Sequence, residues 1–378
     1  MGESSKIEWT DATWNPVIGC SRVSAGCSNC YAERVAHRGM AEQHRGLTVM
    51  GAKGPRWNGD VRFVPHRLDV PLRKKAPQRY FVNSLSDLFH EGLTNEQIAA
   101  VFGVMAGCPQ HTFQILTKRP GRMAEWFRWA ESFGDGYDLL REGMPSGLLT
   151  CAHEALSGDA WEDVEPPFSE PTPTPARFGT SWPLPNVWLG VSVEDQLTAE
   201  LRILELLGTP AALRFVSYEP ALGAVDFTDL VIKEAQPPHG PRISLNAMTG
   251  VVAGPDDVLP SLDWIIVGGE SGPGARPFNI EWALSTIRQG RDAGVAVFVK
   301  QLGARAIDGE RLDVWCNGEH HYGGRFPGES IIEEAMARPG YTVKPHDVSR
   351  LLVDRKGGDW SEWPEDLRVR EMPEVDRV

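Results

Sequence analysis

The stretch IGCSRVSAGCSNCYAERVA, residues 18–36, decides how the chain is read. It joins an apolar run, WNPVIG (14–19), to a helical pattern that begins near Asn29. Cys20, Cys27 and Cys30 fall within eleven residues, whereas Cys108, Cys151 and Cys316 stand alone. Cysteines packed this densely, in a sequence with no secretory pattern at its start, point to metal or redox chemistry rather than a disulfide framework. Their place between a strand and a helix matters equally. In parallel α/β folds the loops after the strands build the active-site face.

Outward from this loop, the chain repeats the same strand-then-helix rhythm. Apolar, β-branched runs recur at RYFVNS (79–84), TFQILT (112–117), NVWLGVS (186–192), LRFVSY (213–218), DWIIVGG (263–269) and VAVFVKQ (295–301). They are apolar nearly throughout, which suits parallel strands covered on both faces. Helical patterns lie between them. In TNEQIAAVFGVMAG, Thr94 and Gln97 form a capping box ahead of Ile98, Val101, Phe102 and Met105 on one face. In EDQLTAELRILELLG, Leu197, Leu201 and Leu204 run along one side. FNIEWALSTIRQGRDAG stops at Gly294.

Alternation of this kind predicts right-handed βαβ units. The fold class expected is α/β, a full or partial parallel (β/α) TIM-type barrel, with a doubly wound open sheet as the second choice. The barrel spans residues 1–302, with Pro/Gly-rich insertions at about 134–185 and 233–261. Residues 303–378 read as a C-terminal extension that packs back on the barrel; they hold His320, His321 and the Trp-rich tail GGDWSEWPEDLRVREMP.

The composition, 41% hydrophobic and 24% charged, is that of a globular protein. No apolar run reaches the roughly 18 residues of a membrane span, and the polar start lacks a signal pattern, so a cytoplasmic location is expected. A net charge of −13 argues against a generic DNA-coating protein. Charge is uneven, however. Residues 31–80 carry eleven Lys and Arg against four Asp and Glu, which suits either a phosphate-bearing substrate or a solvated loop balancing an acidic body.

Three thiolates on one loop can hold three irons of a [4Fe–4S] cluster and leave the fourth iron open. The competing reading is zinc. Cys27 and Cys30 have zinc-knuckle spacing, and His37 or His44 can supply a fourth ligand. That site would stabilise a non-catalytic module binding nucleic acid or protein.

The cysteine loop resembles the radical S-adenosylmethionine superfamily, in which three cysteines follow the first barrel strand. There the gaps are three residues, then two; here they are six, then two. Cys30-Tyr31 resembles the Cys-Tyr ending of spore photoproduct lyases. Most of the chain also resembles a phage and bacterial family of unknown function with a three-cysteine motif. The matching blocks include IEWTDATWNPVIGCSRVSAGCSNCYAE, FVNSLSDLFHE, RFVSYEPALG, LDWIIVGGESGPGARP and SEWPEDLRVRE. The superfamily resemblance implies an enzyme that uses a [4Fe–4S] cluster and S-adenosylmethionine to generate a 5′-deoxyadenosyl radical. It also implies a one-electron donor such as a flavodoxin or ferredoxin.

Polar residues gather at the C-terminal ends of the expected strands, where barrel enzymes build their sites. Superfamily members bind the cofactor's amino group with a GGE-like segment after the second strand; here that place holds Ser84 and Asp87. Lys118 suits the cofactor's carboxylate. Ser192 and Glu194 suit its ribose hydroxyls. Gly268, Gly269 and Glu270 form a later GGE string whose glycines would let backbone approach adenine or phosphate. Glu219 and Lys300 are left as catalytic candidates facing a substrate, a nucleotide or nucleic acid, and Arg276 as an anion binder. Trp9, Trp14 and Tyr31 flank the loop, to shield a cluster or to stack a base.

Overall fold

The computed structural model describes residues 5, 7–39, 42–132, 151, 155, 182–233, 242–253, 258–272, 274–316, 319–325, 341–349, 352, 354 and 356–374. Its principal sheet has seven strands: β1 (Ala12–Trp14), β2 (Arg79–Val82), β3 (Thr112–Thr117), β4 (Val187–Ser192), β5 (Leu213–Tyr218), β6 (Trp264–Gly268) and β7 (Ala296–Gln301). All neighbours are parallel and they pair in sequence order. A doubly wound sheet reverses its order at a switch point. No reversal occurs here, so that alternative is set aside.

The sheet curls. Trp9, just before β1, touches Phe81 of β2 at a ring separation of 4.9 Å and Trp264 of β6 at 6.0 Å. Flat strands four places apart would lie about 19 Å from each other. The result is a half-barrel, with β1 and β7 at its two edges. It is the partial form of the expected barrel.

Strand alternation gives the sheet two chemically distinct faces. Tyr80, Phe113, Ile115, Leu189, Val191, Val216 and Ile265 face outward into a large core shared with the helices. Phe81, Trp188, Phe215, Trp264 and Phe298 face inward and close the floor of the concavity around Trp9. One rung further along, the inward positions turn polar.

The first strand departs from expectation. β1 ends at Trp14, while Val17–Ile18 pairs antiparallel with Arg62–Phe63. Pro16 is the physical reason: it has no N–H to donate and ends the ladder.

Five helices matter for the site: α1 (Tyr31–His37), α2 (Asn95–Ala106), α3 (Pro120–Ser132), α4 (Gln196–Leu207) and α5 (Ile280–Ala293). The Thr94–Gln97 capping box opens α2, and Gly294 ends α5 in the left-handed conformation at φ 72°. The leucine stripe expected to bury α4 is a correction. Leu197 and Leu201 are 64% and 63% exposed, only Leu204 of the three packs against the edge of the core, and Ala199, Ile203 and Leu206 face it directly. An Asp195–Thr198 capping box sets the helix phase, and Arg202 locks it by donating to the Ser192 carbonyl and to Glu194.

Of the two expected insertions, 134–181 lies outside the described residues except Cys151 and Ala155. The other contains a small sheet of Leu230–Lys233, Ile243–Leu245 and Val252–Ala253. Beyond β7, Ala306–Cys316 pairs with Phe278–Asn279, Glu319–Arg325 and Tyr341–Ser349. The Trp-rich tail then lies along the β7 edge. Val299 N–H donates to Val369 O, and Glu371 N–H to Val297 O. Arg370 covers the rings of Phe298, Trp360 and Trp363 and pairs with Glu8. No helix among the described residues is long and apolar enough to cross a membrane.

Candidate functional site

A cavity of about 960 Å³ opens at the C-terminal ends of the seven strands. Cys20, Cys27, Cys30, Ser84, Asp87, Lys118, Ser192, Glu219, Gly269, Glu270 and Lys300 all line it. Glu194 and Gly268 do not; they lie behind its wall. The inward rows explain this convergence. Phe81 is followed by Asn83, Leu116 by Lys118, Ser217 by Glu219 and Phe298 by Lys300, two residues on and on the same face.

Arg119 anchors the first cysteine. It is 6% exposed and uses its whole guanidinium inside the protein. Nε donates to both carboxylate oxygens of Glu91, at 3.0 and 2.9 Å. Nη1 donates to Asp87 Oδ2 at 3.1 Å and approaches Cys20 Sγ at 3.7 Å. Nη2 donates to the Ser21 carbonyl and hydroxyl. His90 joins the cluster. Its Nδ1 accepts from Gly92 N–H, so Nε2 carries the proton and donates to Ser21 Oγ at 2.9 Å. Burial, aided by the Arg119 charge, lowers the His90 pKa and keeps the ring neutral.

Two further clamps hold the rest of the loop. Glu270 accepts from Asn29 Nδ2 at 2.8 Å and pairs with Arg276, whose Nη1 donates to the Ala25 carbonyl. Burial alone would raise the Glu270 pKa; hydrogen bonds from Arg276 and Asn29 outweigh it and hold the carboxyl below its usual range. Glu194 accepts from Ser24 at 2.8 Å, Lys118 at 2.6 Å and Arg202 at 3.1 Å. Against its burial, these partners likewise keep it ionised. A Cβ on Gly26 would fall 2.5 Å from the Glu194 carboxylate, so that glycine lets the loop sit directly on the acid.

The thiols themselves are free. Burial pushes Cys20 up to about 12, with Asp87 adding and Arg119 opposing. Burial also raises Cys30 despite backbone N–H groups of Ala32 and Glu33 nearby. At neutral pH both thiols are therefore held protonated. Ser24 Oγ lies 4.0 Å from Cys27 Sγ.

Several residues chosen from the sequence have partners inside the protein. Asp87 accepts from Thr117, Phe89, Lys118 and Arg119. Ser84 donates to Asn15, and its carbonyl accepts from Tyr31. The anion held by Arg276 is the protein's own Glu270. Gly268 and Gly269 make room for Glu219 and for Phe278 with the Leu302 carbonyl, respectively. Glu219 and Lys300 meet across the cavity wall at 3.0 Å. Trp9 and Trp14 are buried and pack, whereas Tyr31 is 56% exposed at the mouth. The sequence does not show the roles of Arg119, His90 and Asn83, which depend on contacts made by the fold. Arg119 and Asn83 carry one signal, their place at the end of a strand; His90 carries none.

Among the described residues, no group of three His, Cys, Asp or Glu side chains surrounds a single cation position. A cubane cluster asks for something else. Each thiolate binds a different iron, which spaces the three sulfurs farther apart than one ion would. Three soft donors on one glycine-flanked loop over a large cavity fit that group in kind and number.

The family model described as "Protein of unknown function (DUF5131)" matches residues 4–340. The chain belongs to that family. No curated protein and no solved structure matches it. The matched span of this DUF5131 protein takes in the cysteine loop, all seven strands and every residue that clamps the loop.

Proposed function

We propose that this chain is a radical S-adenosylmethionine enzyme in which Cys20, Cys27 and Cys30 ligate a [4Fe–4S] cluster. The observation that carries the reading is three free thiols from one loop, lining one large cavity at the C-terminal end of a parallel half-barrel. When bound, the reduced cluster supplies the electron that breaks the sulfonium bond of S-adenosylmethionine, and the 5′-deoxyadenosyl radical takes a hydrogen atom from substrate.

The chain's own residues orient and enclose. Arg119, Glu270 and Glu194 each fix a different part of the cysteine loop, so the three sulfurs hold their spacing without metal. Ser192, Lys118 and Ser84 offer polar groups to the cofactor from the wall. The Glu219–Lys300 pair, 3.0 Å apart, faces the substrate. A nucleotide or nucleic acid is the substrate class this reading favours. It also calls for a one-electron donor such as a flavodoxin or ferredoxin, and for the reducing cytoplasm, where thiols persist.

One observation favours a second reading. His44 lines the same cavity with both ring nitrogens unpartnered, and a three-cysteine zinc site in a non-catalytic binding module would need the cysteine loop to close with it around one ion, which the four side chains do not surround in this arrangement. His37 is engaged with Thr48.

Anaerobic reconstitution separates the two. About four irons per chain, with 5′-deoxyadenosine formed from S-adenosylmethionine under reductant and lost in Cys30→Ala, supports the enzyme. One tightly held zinc, weakened by His44→Ala, with no cofactor cleavage, rejects it.

A further inference from the structure

The N–H groups of the buried Arg119 guanidinium can each be placed. Nε donates to Glu91, Nη2 to the Ser21 carbonyl and hydroxyl at 3.1 and 2.7 Å, and one Nη1 hydrogen to Asp87 at 3.1 Å. The hydrogen that remains on Nη1 is directed at Cys20 Sγ, 3.7 Å away. The Cys20 thiol proton points elsewhere, to the Ser21 carbonyl at 3.4 Å. The sulfur therefore meets the guanidinium with its lone pairs.

A guanidinium presents its donors in a rigid fork and stays charged inside a protein. Asp87, Glu91 and Ser21 fix that fork on its other sides. Its place against Sγ is thus set by the fold, before any metal is bound.

The three cysteines differ in this respect. Cys30 has neutral donors, the main-chain N–H groups of Ala32 and Glu33. Ser24, 4.0 Å from Cys27, gives its hydrogen to Glu194 at 2.8 Å. Cys20 faces a full positive charge on a side chain that is 4% exposed, where solvent and salt screen it least. Hydrogen bonds to the sulfurs and nearby charge are the means by which a protein sets the potential of an iron–sulfur cluster. Reduction adds negative charge to the cluster and its thiolates, so a cation donating to one thiolate favours the reduced form.

We propose that Arg119 is a positioning residue whose N–H to Cys20 raises the reduction potential of the [4Fe–4S] cluster. Glu91, with a side chain 63% exposed, offsets part of that charge from the solvent side. The proposal rests on the cluster of the enzyme reading and not on cofactor cleavage.

The test is a redox titration of the reconstituted full chain, followed by the electron paramagnetic resonance signal of the reduced cluster, without S-adenosylmethionine. Arg119→Gln removes both charge and fork. Arg119→Lys keeps a cation for Asp87 but cannot reach Sγ at the same time. Arg119→Gln should lower the ratio of reduced to oxidised cluster at a fixed poise about tenfold, or about 59 mV for one electron. Arg119→Lys should lower it by less. Glu91→Gln should shift the potential the other way. Glu270→Gln is the control: Glu270 bonds Asn29 and Arg276 rather than a sulfur, so loosening the loop there should not lower the potential.

An unmoved potential in folded, cluster-loaded Arg119→Gln overturns the proposal. Equal lowering in Glu270→Gln also overturns it, because the loosened loop would then be the cause. Should both position-119 variants fail to fold or to load, Glu91→Gln decides alone, since an exposed side chain tolerates the change; no rise in potential there overturns it. A wild-type chain that holds zinc and assembles no cluster rejects this proposal together with the enzyme reading. The expected shifts without 5′-deoxyadenosine formation reject the enzyme reading alone, and cofactor cleavage with unmoved potentials rejects this proposal alone.

Discussion

Arg119 Nη1 lies 3.1 Å from Asp87 Oδ2 and 3.7 Å from Cys20 Sγ, so the cation that steadies the first cysteine is itself held by a buried carboxylate. Removing one partner strands the other. Arg119→Gln is expected to cost about 3–5 kcal/mol in urea unfolding. Asp87→Asn should cost a similar amount, and the double variant less than the sum, because neither charge is then left alone. Strict additivity would mean that the two side chains act separately.

Glu194 links acid stability to the cysteine loop. Its folded pKa lies below the ordinary 4.5, despite burial, because Lys118, Arg202 and Ser24 favour the anion. A depressed carboxylate adds stability above its unfolded pKa and loses it as pH falls through the folded value. Wild-type stability should therefore be fully present above the ordinary value of 4.5 and fall as pH drops below it. Glu194→Gln should be weaker by about 3 kcal/mol at neutral pH, with buried Arg202 and half-buried Lys118 losing their carboxylate, and flatter on acidification. Parallel pH profiles for the two proteins would show that the stabilisation comes from elsewhere.

The Glu270–Arg276 pair reaches the loop at Asn29 and Ala25. Glu270→Gln loses charge-assisted bonds worth about 1.5–3 kcal/mol. The loss should be local, read as faster amide exchange across residues 24–30. Unchanged exchange there would mean that the loop's own turns, Cys27 N–H to Ser24 O and Ser28 N–H to Ala25 O, suffice to hold it.

Legibility in the sequence followed how local each feature is. TFQILT and LRFVSY match β3 and β5 to the residue, since their own composition bounds them. The Thr94 and Gly294 helix ends were readable for the same reason. Pro16 offered a signal for an earlier end to β1 that the apolar run concealed. On α4, the spacing of Leu197 and Leu201 formed a credible stripe, but tertiary bonds of Arg202 chose the opposite face. Strand-end polarity led to the cavity. It did not show that Glu270 would engage Arg276, or Glu194 engage Lys118, since partners 6 and 76 residues apart are chosen only by the fold. Asn83 gave no sign of its unpaired nitrogen, because that depends on which neighbours remain out of reach.

The half-barrel floor and the α4 surface allow a direct comparison of two large apolar residues. Trp264 is fully buried on the concave face, touching Trp9, Trp188, Phe215 and Phe298 at ring separations of 6.0, 6.2, 5.7 and 6.2 Å. Its Nε1 also donates to the Glu371 carbonyl, tying the tail beneath the floor. Trp264→Phe removes that bond and part of the ring. Trp264→Ala leaves a cavity as well and should cost about 3–5 kcal/mol. Leu201, 63% exposed, should change stability by less than about 0.5 kcal/mol on replacement by Ala. Urea unfolding of the three variants decides the matter. If Leu201→Ala proved as costly as Trp264→Ala, the exposed face of α4 would be buried in solution, and the leucine stripe would be a contact surface after all.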